Sequence, residues 1–206
     1  MSTSEPLSAF ALNCSLKGTE AGPSSTELLL TEVMEALVGH GVRSLGIERV
    51  VDHQVRYGVT EDAGDGDGWP RLLEQVMAAD VLVLGTPIWM GHVASPAQLV
   101  QERLNATMAE TDDDGRPVLF GKVAVVAVVG NEDGAHHVSA ELFQGLDDLG
   151  FTIPAQGVTY CVGEAMHGVD YKDLPDGSEK TRTTTATVAR NAAHLARVLR
   201  AEPYPA

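Results

Sequence analysis

The segment Val81–His92, with the sequence VLVLGTPIWMGH, decides the fold prediction. It begins with four apolar residues, Val81 to Leu84, and changes at Gly85 into a loop that contains Pro87 and Trp89. A short, unbroken apolar run closed by glycine is typical of a strand that is buried on both faces of a sheet. We therefore predict a central strand here, followed directly by an unusual loop.

Outward from this strand, apolar runs alternate along the chain with segments of helical periodicity. Further strands are predicted at Leu7–Asn13, Val42–Val51, Val123–Val129 and Phe151–Tyr160. Helices are predicted from about Ser24 to Gly39, Trp69 to Met77, Ser95 past Leu104, Ala135 to Leu149 and Glu179 to Leu199. Because right-handed crossovers return each strand in the same direction, the alternation predicts an α/β three-layer sandwich with a five-stranded parallel sheet of order 2-1-3-4-5.

Composition narrows the class of protein. The chain has 206 residues, of which 44% are hydrophobic, and this suits a single domain over residues 1–206. Its formal charge of −15 opposes nucleic-acid binding, and no apolar stretch is long enough for a membrane span. Cys14 and Cys161 are too few and too far apart for a disulfide framework, which favours a cytoplasmic protein with two buried thiols.

The loop after the first strand is rich in hydroxyl groups and leads straight into a helix. A phosphate there would gain backbone N–H donors, hydroxyl donors and the helix dipole. The candidate residues are Ser15, Lys17, Ser24, Ser25 and Thr26. An ordinary helix cap on a flexible loop is the alternative. The loop matches neither the Walker pattern nor the G-x-G-x-x-G fingerprint, which makes ATP and a Rossmann-bound NAD less favoured.

The loops after the third and fourth strands are predicted to meet the first at the same sheet edge, where ligands bind in such folds. Pro87 stiffens one turn, Gly91 permits close backbone approach, and Trp89 offers a flat apolar face for a ring. Gly130–Ala135 supplies free amides and polar side chains that suit the edge of a flavin. Trp89 packed against a helix, and an ordinary polar turn, remain the alternatives.

These three loops, taken in order, resemble the flavodoxin-like NAD(P)H-dependent FMN reductase and quinone reductase family over nearly the whole chain. The most specific match is TPIWMG at Thr86–Gly91, followed by Ser95, Pro96, Gln98, Leu99 and Arg103. Three features depart from the family pattern. The cysteine motif that binds a cluster in the iron–sulfur flavoprotein branch is absent, so no iron–sulfur cluster is implied. Glu102 takes the place of the aspartate in the Asp-Arg pair that is common in the family. The insertion Gly18–Pro23 leaves the register of the phosphate loop open.

The resemblance implies a flavodoxin-like domain that transfers hydride from NADH or NADPH through FMN to a quinone, a free flavin or a similar small acceptor. Because the flavin carries the chemistry, no catalytic side chain is needed. A homodimer or homotetramer is implied. The implied FMN contacts are Ser15, Lys17, Ser24, Ser25, Thr26, Thr86, Pro87, Ile88, Trp89, Met90, Gly91, Gly130, Asn131, Glu132, Asp133 and Gly134.

Several polar groups remain outside this scheme. His136 is a candidate proton donor to the acceptor, as is His137, although a solvated helix position explains either one. Tyr160, Met166 and His167 are candidates for the substrate pocket. We predict no metal site from His136, His137, His167 and Cys161, whose spacing fits no common ligand pattern. The aspartate runs 65–67 and 112–114 are interpreted as solvated acidic loops, since neither fits the calcium-loop pattern.

Two other functions share the fold prediction. A flavodoxin-type electron carrier would hold FMN and use its acidic surface to dock protein partners, without oxidising NAD(P)H. A flavin-free interaction domain would keep only the fold. The long segments Val51–Gly68 and Ala106–Lys122 favour the reductase, because they are suited to subunit contacts and a substrate mouth.

Overall fold

Apolar strand residues build a central sheet whose two faces are both buried. The computed structural model describes residues 5–163, 168–175 and 177–206. Five parallel strands run in the order β2-β1-β3-β5-β6. They are β1 (Ser8–Asn13), β2 (Arg43–Arg49), β3 (Val81–Trp89), β5 (Val123–Val129) and β6 (Val158–Cys161). The predicted fold class and strand order are therefore confirmed.

A two-residue strand, β4 (His92–Val93), is the one addition to this pattern among the described residues. It pairs antiparallel with the end of β3, so that Trp89 lies opposite His92. Met90 and Gly91 form the connecting turn, and both have positive φ, 52° and 77°. Two consecutive left-handed residues are the geometry of a type I′ hairpin turn, in which methionine is an unusual choice.

Helices cover both faces of the sheet. The helices α1 (Ser25–Gly39) and α5 (Glu179–Ala201) pack on one face, and α2 (Trp69–Ala78), α3 (Ser95–Leu104) and α4 (Ala135–Asp148) pack on the other. The side chains of β5 alternate between the two faces. Val123, Val125 and Ala127 pack against α1 and α5, whereas Val126 and Val128 pack on the face covered by α2, α3 and α4. This alternation explains why the strand reads as an unbroken apolar run.

The last strand is shorter than predicted. Residues 151–157 do not form a strand, except for one isolated bridge between Thr152 and Val123. Pro154 cannot donate a ladder hydrogen bond, and the chain turns at residues 155–156 before β6 begins at Val158. The predicted strand at Phe151–Tyr160 was therefore wrong in its first half.

Buried arginine pairing corrects one interpretation of the sequence. Asp67 was assigned to a solvated loop, but its side chain has no exposed surface and lies 2.7 Å from Arg103 Nη2. Asp112 and Asp114, in contrast, lie at the surface and accept hydrogen bonds from Arg116.

Among the helices of the described ranges, none combines the length and the apolar character that crossing a membrane requires.

Candidate functional site

The carboxyl ends of β1, β3 and β5 surround a cavity of roughly 530 Å³. This is within the usual size range of small-molecule and cofactor sites, and it lies where the winding direction of the sheet reverses. The three loops singled out in the sequence all contribute to its walls. The lining residues are Ser15, Leu16, Lys17, Pro23, Ser24, Ser25, Thr26, Pro87, Ile88, Trp89, Met90, Val129, Gly130, Asn131, Glu132, Asp170, Tyr171 and Lys172.

Asn13 ties together the two ends of the first loop. This fully buried side chain accepts a hydrogen bond from the Ser15 N–H at 3.0 Å, and its amide nitrogen lies 3.4 Å from Ser24 Oγ. Ser24 caps α1 by accepting a hydrogen bond from the Glu27 N–H at 3.0 Å. These bonds use Ser24 Oγ as an acceptor, so its hydrogen is able to turn toward the cavity.

The first turn of α1 offers donors at the cavity wall. The backbone N–H groups of Ser25 and Thr26 lie in the first turn of α1, where no carbonyl group of the helix can accept their hydrogen bonds. The positive end of the helix dipole lies at this same end. Ser25 Oγ accepts the Lys172 N–H at 3.2 Å, which again leaves the hydroxyl hydrogen able to donate. Lys17 adds a positive charge at the loop. This end of the cavity therefore suits an anion such as a phosphate.

The insertion in the first loop is held by the end of β2. Arg49, whose side chain is only 5% exposed, donates to the carbonyl oxygens of Gly18 at 2.7 Å and Gly22 at 3.0 Å, and it pairs with Glu27. The Thr19 hydroxyl donates to Asp52 at 2.6 Å, and this hydrogen bond holds the pKa of the Asp52 carboxyl below its usual value. Arg49 and Asp52 thus hold the insertion beside the cavity, and Pro23 at its end lines the cavity itself.

The wall opposite the helix is apolar and partly exposed. Ile88 is buried beneath it, whereas the side chains of Trp89 and Met90 are 51% and 86% exposed at the rim. Met90 also has the left-handed backbone described above. Exposed apolar side chains on a strained turn indicate a surface built to contact a ligand rather than to stabilise the fold.

Four of the predicted contact residues do not line the cavity. The Thr86 hydroxyl is buried and accepts the Ala94 N–H at 3.2 Å, so it fixes the start of the next helix. Gly91 and Gly134 allow two loops to pack in close contact: a Cβ on Gly134 would lie only 2.7 Å from Gly91 Cα, so a larger residue would not fit. Asp133 accepts the Gly134 N–H. These four residues therefore support the loops at the cavity rim without lining the cavity.

A segment that the sequence analysis passed over completes the site. Asp170, Tyr171 and Lys172 line the cavity beside the start of α1. The Tyr171 hydroxyl donates to Glu32 at 2.6 Å; burial and this carboxylate raise the pKa of Tyr171 well above its usual value. Nearly 140 residues of chain separate the two partners, so no local sequence pattern could have revealed the contact.

The histidine candidates lie outside the cavity. His136 is exposed, with Nε2 3.2 Å from the Tyr160 hydroxyl. His137 contacts His92 and Glu141 instead. Met166 and His167 fall outside the described residues. The predicted buried state of both cysteines is confirmed, and burial raises the pKa of the Cys14 thiol well above its usual range.

Comparison with known proteins connects this site to a family. Residues 8–165 match the profile described as NADPH-dependent FMN reductase. The chain belongs to the NADPH-dependent FMN reductase family. The family resemblance inferred from the three loops is thereby confirmed. Membership makes the protein a flavin-dependent oxidoreductase with a flavodoxin-like fold, and FMN is the cofactor that the family implies.

Two relatives with curated descriptions match nearly the whole chain. An 8-demethyl-8-aminoriboflavin-5'-phosphate synthase from Streptomyces davaonensis is 32% identical over 208 residues, which cover 96% of this chain and 80% of the relative. A protein described as the divalent metal cation transporter MntH, from Mycobacterium bovis, is 34% identical over 202 residues. These cover 95% of this chain but only 29% of that relative.

A solved structure supports the fold over the same range. The crystal structure of RosB, with the bound intermediate 8-demethyl-8-formylriboflavin-5'-phosphate, superposes with a TM-score of 0.87 at 32% identity. The match covers 96% of this chain and 82% of RosB. The cavity of this chain meets the basic requirements for FMN, because it combines anion donors at one end with an apolar wall at the other.

Proposed function

We propose that this chain is an NAD(P)H-dependent reductase that uses FMN to reduce a quinone, a free flavin or another small acceptor. When bound, FMN would supply the redox chemistry. The observation that carries the proposal is the open cavity with hydroxyl and amide donors at α1 and an exposed apolar rim at Trp89 and Met90. Such a site anchors a phosphate and leaves room for a second flat molecule over the ring.

The chain's residues would divide into two groups of FMN contacts. The phosphate would be held at the start of α1, where donors and positive charge converge. The ring would rest on the loops after β3 and β5, with backbone amides at its polar edge. We assign Ser15, Lys17, Ser24, Ser25 and Thr26 to the phosphate, and Pro87, Ile88, Trp89, Met90, Gly130, Asn131 and Glu132 to the ring.

Anaerobic reduction tests this function directly. The FMN-loaded protein is mixed with NADPH or NADH, and bleaching of the flavin absorbance is followed by stopped flow. Rapid bleaching is expected with at least one nucleotide. Bound FMN that stays oxidised with both would overturn the reductase proposal and favour the electron carrier. A protein that does not bind FMN at all would overturn the cofactor assignment as well.

Variants at Trp89 separate binding of the second molecule from binding of FMN. Trp89→Ala removes the exposed aromatic face, whereas Trp89→Phe retains one. We expect KM for the nicotinamide or the acceptor to rise about tenfold in Trp89→Ala, the loss expected for a stacking contact of about 1.4 kcal/mol. The phenylalanine variant should recover most of this loss. Equal kinetics in all three proteins would exclude Trp89 from the substrate site.

A second candidate function has specific support. At 32% identity, one relative is described as acting in the synthesis of a modified riboflavin phosphate. The same cavity would then take FMN as substrate rather than as a retained cofactor. Mass spectrometry of flavin extracted after turnover distinguishes the two candidates. Unchanged FMN mass with consumption of NAD(P)H supports the reductase, and a new flavin mass supports the modifying enzyme.

We further propose that the 206 residues act as one cytoplasmic FMN-binding domain that assembles as a homodimer or homotetramer. Both free cysteines are buried, in keeping with a reducing compartment. Tyr57 and Val59 are 83% and 59% exposed on the long segment before α2, and apolar exposure of this kind suits a subunit contact. Light scattering on purified protein would show a mass of two or four chains; a monomer would contradict the assembly.

A further inference from the structure

Three metal-binding side chains meet beside the cavity rim, outside the proposed flavin site. His92 is the first residue of β4, and His137 and Glu141 lie one turn apart on α4. His92 follows the rim residue Met90 by two positions. The imidazoles of His92 and His137 are 61% and 54% exposed and can be reached from solvent.

The three ligand atoms form a nearly equilateral triangle. His92 Nδ1 lies 3.2 Å from Glu141 Oε1, His137 Nε2 lies 3.3 Å from the same oxygen, and the two nitrogens are 3.3 Å apart. Around a zinc ion with bonds of about 2.0–2.1 Å, tetrahedral angles place neighbouring ligand atoms about 3.3 Å from one another. The triangle therefore has the size of one face of a tetrahedral site.

Hydrogen bonds account for only two of the three short distances in this triangle. Each imidazole nitrogen carries either one proton or one lone pair, and an ionised carboxylate only accepts. At most two of the three edges can therefore be hydrogen bonds, and if both nitrogens donate to Glu141, the short contact between the two nitrogens is not a hydrogen bond. A central cation accepts a lone pair from all three atoms at once, and so accounts for all three short distances.

Glu141 provides an independent observation. Its second oxygen, Oε2, is buried and has no hydrogen-bond partner among the described residues. An ionised carboxylate with one oxygen buried and unpaired is unfavourable unless a positive charge compensates it. A cation bound at Oε1 would supply that charge, and Oε2 is available as a second, weaker contact.

We propose that His92, His137 and Glu141 bind one divalent transition metal ion, with zinc as the best match. Two imidazoles and one carboxylate suit zinc and its neighbours in the first transition row, whereas calcium and magnesium prefer oxygen ligands alone. Three protein ligands leave one tetrahedral position open for water or another small ligand. The sequence analysis missed this site because it considered only His136, His137, His167 and Cys161 as metal ligands.

The ion would connect the two loops that form the cavity rim. One ligand belongs to the hairpin that contains Trp89 and Met90, and the other two belong to the helix that follows Gly130–Gly134. The contact between Gly91 and Gly134 already brings these loops together. Metal binding would therefore fix the exposed apolar rim relative to α4, independently of whether the flavin site works as a reductase.

Zinc binding to the FMN-loaded protein tests the proposal. After treatment with a chelator and its removal, the protein is titrated with zinc chloride by calorimetry, alongside His92→Gln, Glu141→Gln and the control His194→Gln. His194 is a comparably exposed histidine on α5. We expect one equivalent to bind to the parent and the control. The affinity of the two ligand variants should fall at least about 100-fold, since even outer-shell changes cost 10–100-fold.

Thermal unfolding provides a second readout that does not depend on activity. Because a ligand of the native state stabilises it, zinc should raise Tm of the parent and of His194→Gln, but not of Glu141→Gln. Circular dichroism without metal checks that each variant is folded. Absent zinc binding in the folded parent, or equal binding by all four proteins, would overturn the proposal.

Discussion

Two loops of this molecule are each organised around a buried arginine, and they differ in how completely that arginine is satisfied. Arg103 lies beneath residues 56–67, with its side chain fully buried, and donates to Thr60, Arg56, Glu61 and Asp67. Arg49 lies beneath residues 17–22 and donates to three carbonyl oxygens, but its Nε has no partner among the described residues. We call these the Arg103 loop and the Arg49 loop.

The difference separates scaffold from site. The partner of Arg103 is a carboxylate with no exposed surface, whereas the partner of Arg49, Glu27, is 41% exposed. The guanidinium of Arg103 lies 5.7 Å from the centre of the Trp69 ring on α2, and the Arg103 loop contributes nothing to the cavity lining. The Arg49 loop contributes Lys17 to the cavity lining and leads into Pro23, which also lines it. In this chain the completely satisfied arginine thus stabilises the fold, while the partly satisfied one holds a loop of the proposed flavin site.

The largest expected effect is a loss of stability in Arg103→Met. The substitution leaves the Asp67 carboxylate buried without its counter-charge and three carbonyl groups without a donor. Breaking a buried pair in this way typically costs about 3–5 kcal/mol. Urea unfolding should show this loss in the free energy of unfolding, whereas the affinity of the remaining folded protein for FMN should be unchanged.

Arg116→Met is the matched control for this prediction. Arg116 also pairs with aspartates, but its partners Asp112 and Asp114 are 38% and 71% exposed. Exposed pairs contribute about 0–1 kcal/mol. If both arginine variants lost the same stability, the separation between buried and exposed pairing would fail.

Arg49→Met is expected to show the opposite balance. Losing its donors to Gly18 and Gly22 should cost about 1–3 kcal/mol of unfolding free energy, since Glu27 remains solvated. FMN affinity should fall about tenfold or more because the phosphate loop is no longer fixed, while riboflavin, which lacks the phosphate, should lose less. Fluorescence titration with both flavins measures the difference.

The exposed neighbour Arg71 provides the control for Arg49. Its side chain is 72% exposed, and it lies 3.6 Å from Glu48. Arg71→Met should leave the affinities for both flavins unchanged. Equal losses of FMN and riboflavin affinity in Arg49→Met would show that Arg49 supports the whole cavity rather than the phosphate end.

The sheet was predictable from sequence for a physical reason that does not extend to these arginines. Val81–Leu84 and Val123–Val129 are apolar without interruption, and only burial on both faces accounts for such runs. Because the strands are parallel, the loops at their carboxyl ends lie at the same edge of the sheet. Local patterns therefore gave the fold, its strand order and the approximate position of the site.

Long-range polar contacts were not predictable in this way. Asp67 belongs to an acidic run that is typical of a solvated loop, and its partner Arg103 comes 36 residues later. Arg49 is the last residue of β2, and in the sequence it looks like an ordinary charged residue at the end of a strand, with no sign that its side chain is buried. Tyr171 and Lys172 are held at the cavity by hydrogen bonds to α1, far away in the sequence. Such residues are identified by their burial and partners, which a single sequence does not contain.

Acid should weaken the Arg103 loop. Burial opposes ionisation of Asp67, but hydrogen bonds from Arg103 and three backbone N–H groups outweigh it and hold the pKa of Asp67 well below its usual range. Because the folded pKa lies below the unfolded pKa, this stabilisation is fully present above about pH 4 and is lost as pH falls further.

The measurement is the free energy of unfolding between about pH 5 and pH 3 for the parent and Asp67→Asn. The parent should lose stability more steeply, by no more than about 1.4 kcal/mol per pH unit, the value for one proton. The asparagine variant should show a smaller slope, despite a lower stability at neutral pH. Parallel curves would mean that Asp67 does not carry the acid sensitivity of this loop.

The smallest expected effect concerns the outer tether of the Arg49 loop. Asp52 accepts hydrogen bonds from the N–H and hydroxyl of Thr19, but the contact is exposed to solvent. Asp52→Ala should therefore cost about 0.5 kcal/mol of unfolding free energy. FMN affinity should fall less than about threefold, because Arg49 still holds the carbonyl groups on either side of Thr19. If Asp52→Ala instead reduced FMN affinity as much as Arg49→Met, the loop would be held from its solvent side, and the buried arginine would not be its main anchor.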